Sequence, residues 1–90
     1  MQRKEFTILN KLGLHARAAA LLVKTASAFT AEIHVGRDDL RVNGKSIMGV
    51  LLLAASQGST IWIETGGDDE EDAMQAIGEL INNGFGELEP

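Results

Sequence analysis

The chain has 90 residues, 44% of them hydrophobic, no cysteine, and a net charge of −5. A chain of this length predicts one domain, residues 1–90, burying roughly 60–65% of its unfolded surface. The missing cysteines exclude disulfides, thiolate catalysis and cysteine zinc sites, and the overall acidity argues against nucleic acid as a partner.

The longest apolar run, Ile47 to Ala55, is nine residues, where roughly 20 are needed to span a bilayer. No signal-peptide-like apolar region follows the N-terminal charges. The expectation is a cytoplasmic protein with no membrane insertion. Charge is unevenly distributed. Residues 1–45 carry all eight Lys and Arg against four acids, giving +4, and residues 46–90 carry nine acids and no base, giving −9. Either a positive zone surrounds the first half, able to steer an acidic partner or a phosphate, or the halves interleave and largely cancel.

Lys4 to Asn10 alternates, with Phe6 and Ile8 on one face and Glu5 and Thr7 on the other, as in a half-buried strand. Ala16 to Phe29 has helical spacing. Ala19, Leu22, Val23, Ala26 and Phe29 form its apolar stripe, and Arg17, Ala20, Leu21, Lys24 and Ser27 the opposite face. Ala31, Ile33 and Val35 alternate with polar residues, Asp38-Asp39 forms a turn, and Leu40 and Val42 return, predicting a β-hairpin. Ser46 is placed to cap a short helix, Ile47 to Ala54. That helix is too short to turn Ile47, Met48, Val50, Leu51, Leu52 and Leu53 all inward, so an exposed apolar patch is expected near Leu21.

Thr60 to Thr65 alternates again, with Ile61 and Ile63 inward and Trp62 outward. Five acids, Asp68 to Asp72, then precede Ala73, Ala76, Ile77 and Leu80 at helical spacing. Acids in a first turn complement the helix dipole, so this run reads as a helix start rather than a metal site. Gly84 suits the stop. The order βαββαβα predicts an α+β fold in which helices cover one face of a sheet. Trp62, Glu32 and His34 would lie on the other, solvated face.

The chemistry points to His15. A glycine-containing loop delivers it to a helix start, where free backbone N–H groups and the dipole favour an anion. A neutral imidazole nitrogen is a nucleophile near pH 7, and Arg17, in the first turn, is suited to binding phosphoryl oxygens. No carboxylate lies close in sequence to orient the ring, and a spatial neighbour is left open. Asn43-Gly44-Lys45-Ser46 superficially matches the end of a phosphate loop, but Asp39 stands where the first glycine is required. Two histidines give little basis for a metal site, and none is assigned.

Gly13-Leu14-His15-Ala16-Arg17 and its Ala/Leu helix resemble the active-centre segment of the HPr family, histidine-containing phosphocarriers of the phosphoenolpyruvate-dependent sugar phosphotransferase system. Asn43 to Val50 resembles the family's regulatory serine segment, at the family's spacing. The resemblance covers essentially the full chain. It implies an open-faced β-sandwich of four antiparallel strands covered on one face by three helices. It also implies a carrier that is not a turnover enzyme alone. His15 would be phosphorylated on Nδ1 by enzyme I and would pass the group to IIA-type acceptors, without a cofactor. Arg17 and the backbone amides of Ala16 and Arg17 would hold the phosphate. Ser46 would be modified by a serine kinase/phosphorylase, with a transcriptional regulator as a further partner. Ala20, Leu21, Lys24, Ile47, Met48 and Leu51 would dock partners, and the protein would act as a monomer. The alternatives are a mainly regulatory binding module and a nitrogen-type phosphotransfer paralogue not coupled to sugar uptake. The sequence departs from the family at Ala18, usually proline, where an alanine is expected to preserve the chemistry but alter transfer rates or partner choice.

Overall fold

A computed structural model describes residues 1–88. The elements run β1 (Gln2–Thr7), α1 (Ala16–Ser27), β2 (Glu32–Arg37), β3 (Leu40–Asn43), α2 (Ile47–Leu52), β4 (Thr60–Gly66) and α3 (Glu70–Asn82), followed by a 3-10 turn, Gly84–Gly86. The predicted order holds. Boundaries move by a few residues: β1 ends before Ile8, α1 stops at Ser27, and α2 stops at Leu52.

One antiparallel sheet has the order β1-β4-β2-β3. β4 is central because its alternation sends Ile61, Ile63 and Thr65 into the helical layer, all fully buried. β1 and β2 flank it in register, Phe6 opposite Ile61 and Val35 opposite Ile63. Burying one such isoleucine is worth roughly 1.5–3 kcal/mol. α1 packs beside α2 and α3 and buries Ala18, Ala19, Leu22 and Ala26 in the shared core. α3 contributes Ala73, Met74, Ile77, Gly78 and Ile81. A Cβ on Gly78 would lie 3.1 Å from the Phe6 ring, so the glycine makes room for it. The fold is the expected open-faced sandwich: four antiparallel strands, three helices, one face covered.

The uncovered face differs from expectation at one residue. Trp62 does lie there but is only 9% exposed. Its ring lies flat over Gly36, where a Cβ would fall 1.9 Å from a ring atom, and the Arg3 guanidinium stacks 4.2 Å from the ring centroid. Glycine below and a cation above bury a side chain that alternation alone assigns to water. Glu64 continues the row, accepting from Arg3 at 3.4 Å and Arg41 at 3.2 Å, while Arg41 also meets His34 Nδ1 at 3.2 Å. Here bases from the first half meet an acid from the second, and the charge asymmetry of the sequence cancels locally.

The acidic run starts α3 but divides its labour. Glu70, Glu71 and Asp72 occupy the first turn. Asp69 is the N-cap, yet its carboxylate does not cap; it accepts the N–H groups of Thr30 and Ala31 at 2.9 and 2.8 Å. This clamp joins the end of the α1–β2 connection to the start of α3. The bond from the Thr30 amide is the main influence holding the Asp69 carboxyl below its ordinary range.

Two predictions follow from this packing. Gly36→Ala should destabilise the protein by about 1–3 kcal/mol through overpacking, with Trp62 emission shifting to the red as the ring is displaced into water; a melt and a fluorescence spectrum test both. A carboxyl whose folded pKa is depressed stabilises the fold above its unfolded pKa, and the contribution is lost as pH falls through the folded value. The Ala31 amide, protected by Asp69 at neutral pH, should therefore lose hydrogen-exchange protection on acidification below the ordinary carboxylate range, and Asp69→Asn should weaken that protection already at neutral pH.

Candidate functional site

The loop before α1 is tied down at several points. Gly13 has φ +67°, and a Cβ there would lie 2.4 Å from the Ala55 carbonyl oxygen. That conformation strongly favours glycine. Leu14 donates its N–H to the same carbonyl at 2.9 Å and buries its side chain. Asn10, fully buried, closes the turn: its carbonyl accepts from Gly13 N–H at 3.1 Å, and its Nδ2 donates to the Gly13 carbonyl at 2.8 Å.

These contacts make His15 the N-cap of α1, with φ −78° and ψ 179°. Its carbonyl accepts the Ala19 N–H at 2.9 Å, but its side chain makes no cap bond. No acid stands in the first turn. The N-terminal amides of Ala16 and Arg17 thus belong to a helix start without a side-chain acceptor, the arrangement that favours a bound anion. Ala18 is fully buried in this first turn.

The residue that sequence reasoning missed is Glu87. Its Oε2 lies 2.6 Å from His15 Nε2 and 2.9 Å from Arg17 Nη2, and its Oε1 accepts from Asn10 Nδ2 at 2.9 Å. The Glu87 side chain is 9% exposed, against 28% for His15 and 67% for Arg17. The Asn10 amide is the largest influence holding the Glu87 carboxyl below its ordinary range; His15 and Arg17 act the same way, and partial burial opposes them. The sequence offered little sign of this pairing, since Glu87 stands 72 positions from His15.

The chain after α3 accounts for the approach of Glu87. Gly84, Phe85 and Gly86 are all left-handed, at φ +65°, +56° and +75°. Gly84 follows the Asn83 C-cap, where a stop was expected. Left-handed geometry in a bulky residue such as Phe85 costs about 1–3 kcal/mol, an amount offset by burial of its ring to 3% exposure, worth roughly 1.5–3 kcal/mol. Asn83 Oδ1 accepts the Gly86 N–H at 2.9 Å and closes the turn. Beside the site, Lys11, Leu12, Arg17, Gly86, Glu87 and Leu88 line a groove of about 530 Å³.

Ser46 caps α2 as expected, its Oγ accepting the Gly49 N–H at 3.1 Å. α2 packs beside α1. Met48 is 79% exposed, Ile47 43% and Leu51 37%; on α1, Ala20 and Lys24 are exposed and Leu21 is half-buried. Val50 and Leu53 take the inward positions, leaving Leu52 exposed at 69%, an apolar surface residue that was not assigned to docking. Arg37 Nη1 donates to the Leu53 and Ala54 carbonyls at 3.1 and 3.0 Å, fixing the end of α2. Among the described residues no cluster of three or more metal-ligating side chains occurs, and no helix is long and apolar enough to cross a membrane.

Comparison with known proteins places the sequence and the fold in one family. Residues 2–83 match the family model described as the PTS HPr component phosphorylation site. The phosphocarrier protein HPr of Neisseria meningitidis serogroup B is 53% identical over 89 residues, covering 99% of this chain and all of that protein. HPr of Pseudomonas putida is 52% identical over 90 residues, again covering 99% and 100%. The crystal structure of HPr-C-His from Thermoanaerobacter tengcongensis superposes with a TM-score of 0.95 at 48% identity, covering 99% of this chain and all of that one. An HPr dimer from the same organism superposes with a TM-score of 0.78 at 49% identity, covering 97% and 100%. With its sequence, its fold and the matched phosphorylation-site segment all in agreement, the chain belongs to the HPr family, the phosphocarrier proteins of the phosphotransferase system.

Proposed function

We propose that residues 1–90 act as a single monomeric phosphocarrier domain in the cytoplasm, with His15 as the residue that carries the phosphoryl group. Enzyme I, charged by phosphoenolpyruvate, is the donor, and IIA-type components are the acceptors. The observation that carries this reading is an N-cap histidine whose side chain is not used as a cap, at a helix start with no acid in its first turn. A phosphoryl group bonded to Nδ1 of such a residue meets the N-terminal amides of Ala16 and Arg17, which favour its charge.

Arg17 adds an exposed cation. Its guanidinium has five donors, and the Glu87 contact uses Nη2, so further donors are available to phosphoryl oxygens. The exposed apolar residues Met48, Ile47 and Leu51, with Leu21, Ala20 and Lys24 on the neighbouring helix, form the docking face for donor and acceptor. A purely regulatory binding module needs no nucleophile, so the His15, Arg17 and Glu87 arrangement favours the carrier.

Ser46 is the proposed regulatory site, modified by a serine kinase/phosphorylase and read by a transcriptional regulator. A phosphate there adds about −1.5 to −2 charges at a helix start next to the docking face. The cap geometry tolerates an anion, while an acidic partner would be repelled.

Incubation with enzyme I and phosphoenolpyruvate should add one acid-labile phosphoryl group, seen by mass spectrometry and absent from His15→Ala; an unmodified wild-type protein would refute the carrier. Ser46→Asp keeps a good N-cap residue and should change stability by no more than about 0.5 kcal/mol. Phosphoryl transfer from enzyme I to that variant should be slower, measured as initial rates under equal protein concentration.

A further inference from the structure

Glu87, itself bonded by Asn10, contacts the His15 ring at Nε2, and that geometry restricts which ring nitrogen is free. An ionised carboxylate only accepts hydrogen bonds. With Glu87 Oε2 at 2.6 Å, His15 Nε2 is therefore the donor and carries the proton. In a neutral imidazole the other nitrogen, Nδ1, then holds the lone pair. Nδ1 has no hydrogen-bond partner among the described residues.

The carboxylate is itself held by a group with almost no freedom. Asn10 is completely buried, and its two amide hydrogens go to the Gly13 carbonyl and Glu87 Oε1. Turning the amide over would set its oxygen against two acceptors, so the orientation is fixed by its neighbours. The consequence is a buried Oδ1 without a partner among the described residues. An unpartnered buried acceptor is costly and calls for a reason. Directing the Nδ2 donors at the loop and at Glu87 supplies one.

We propose that Glu87, held in place by Asn10, is the positioning residue that keeps the proton on His15 Nε2 and so presents Nδ1 to the incoming phosphorus. The inference rests on the reading of His15 as the carrier. In the step, the Nδ1 lone pair forms the N–P bond while the donor's bond to phosphorus breaks and its electron pair leaves with the donor. The Nε2 proton stays on the ring. The positive charge that the ring gains is countered by the Glu87 carboxylate, and the same contact persists in the phosphorylated form. Asn10 acts on the ring through Glu87, by fixing the other carboxylate oxygen, and separately holds the loop through the Gly13 carbonyl.

The test combines nitrogen-15 NMR of the His15 ring with transfer kinetics from phosphorylated enzyme I. In the wild-type protein the Nε2 proton should be observable and protected from exchange, before and after phosphorylation. Glu87→Ala should lose that protection and slow transfer at saturating donor by about tenfold or more. Asn10→Ala should reduce both to a smaller extent. Since Asn10 also holds the loop, its role through Glu87 is read from the double variant: with Glu87 already alanine, Asn10→Ala should cost less rate than it does in the wild-type background, whereas a merely structural role would cost the same in both. Wild-type ring exchange and wild-type rate in Glu87→Ala would overturn the proposal, as would loss of the Nε2 proton signal on phosphorylation, which would mean that Glu87 is expelled. The ring measurement on the unphosphorylated protein stands even if no phosphoryl group is accepted, an outcome that would overturn the carrier reading.

Discussion

The site depends on where α1 is forced to begin. The Leu14 amide bonds to the Ala55 carbonyl, and Gly13 passes so close to that oxygen that a Cβ would stand 2.4 Å away. Leu14 is buried and Gly13 is left-handed, so the chain emerges in one direction and His15 becomes the N-cap. The carbonyl that imposes this lies between α2 and β4, so the loop after α2 also anchors the start of α1.

Charge is handled by local pairing rather than by broad fields. Arg3 and Arg41 share Glu64 on the outer sheet face, Arg17 shares Glu87 with His15, and the N-terminal amine meets Glu70 at 3.0 Å. Exposed pairs of this kind contribute little stability individually, commonly under about 1 kcal/mol. Their effect is positional. Arg3 covers Trp62, and Glu87 occupies Nε2 of the histidine ring. The Asp69 clamp is different in kind, because it satisfies two backbone N–H groups at a junction between elements.

A six-residue helix has little intrinsic stability. α2 is held from outside, by the Ser46 cap at one end, Arg37 on the Leu53 and Ala54 carbonyls at the other, and burial of Val50 and Leu53 beneath. Those anchors leave Ile47, Met48, Leu51 and Leu52 facing outward. An apolar surface of this kind is the feature on which the proposed docking face rests.

Much was legible in the sequence because it is written in short-range periodicity. Alternation at Ile61, Ile63 and Thr65 and helical spacing around Ala19, Leu22 and Ala26 specify elements and faces, since side-chain direction follows the local backbone repeat. His15 at a helix start, Ser46 as a cap and Gly84 at a helix end are likewise local. Trp62 and Glu87 were not legible for the same reason. The burial of Trp62 depends on a glycine 26 positions earlier in a neighbouring strand and on Arg3 from the other side. The carboxylate on His15 arrives from the far end of the chain, brought by three left-handed residues anchored by Phe85. By itself the sequence determined the elements, their apolar faces and the place of His15 at a helix start. Tertiary structure alone decided which groups surround that histidine, because contacts between distant residues are set by how the layers close.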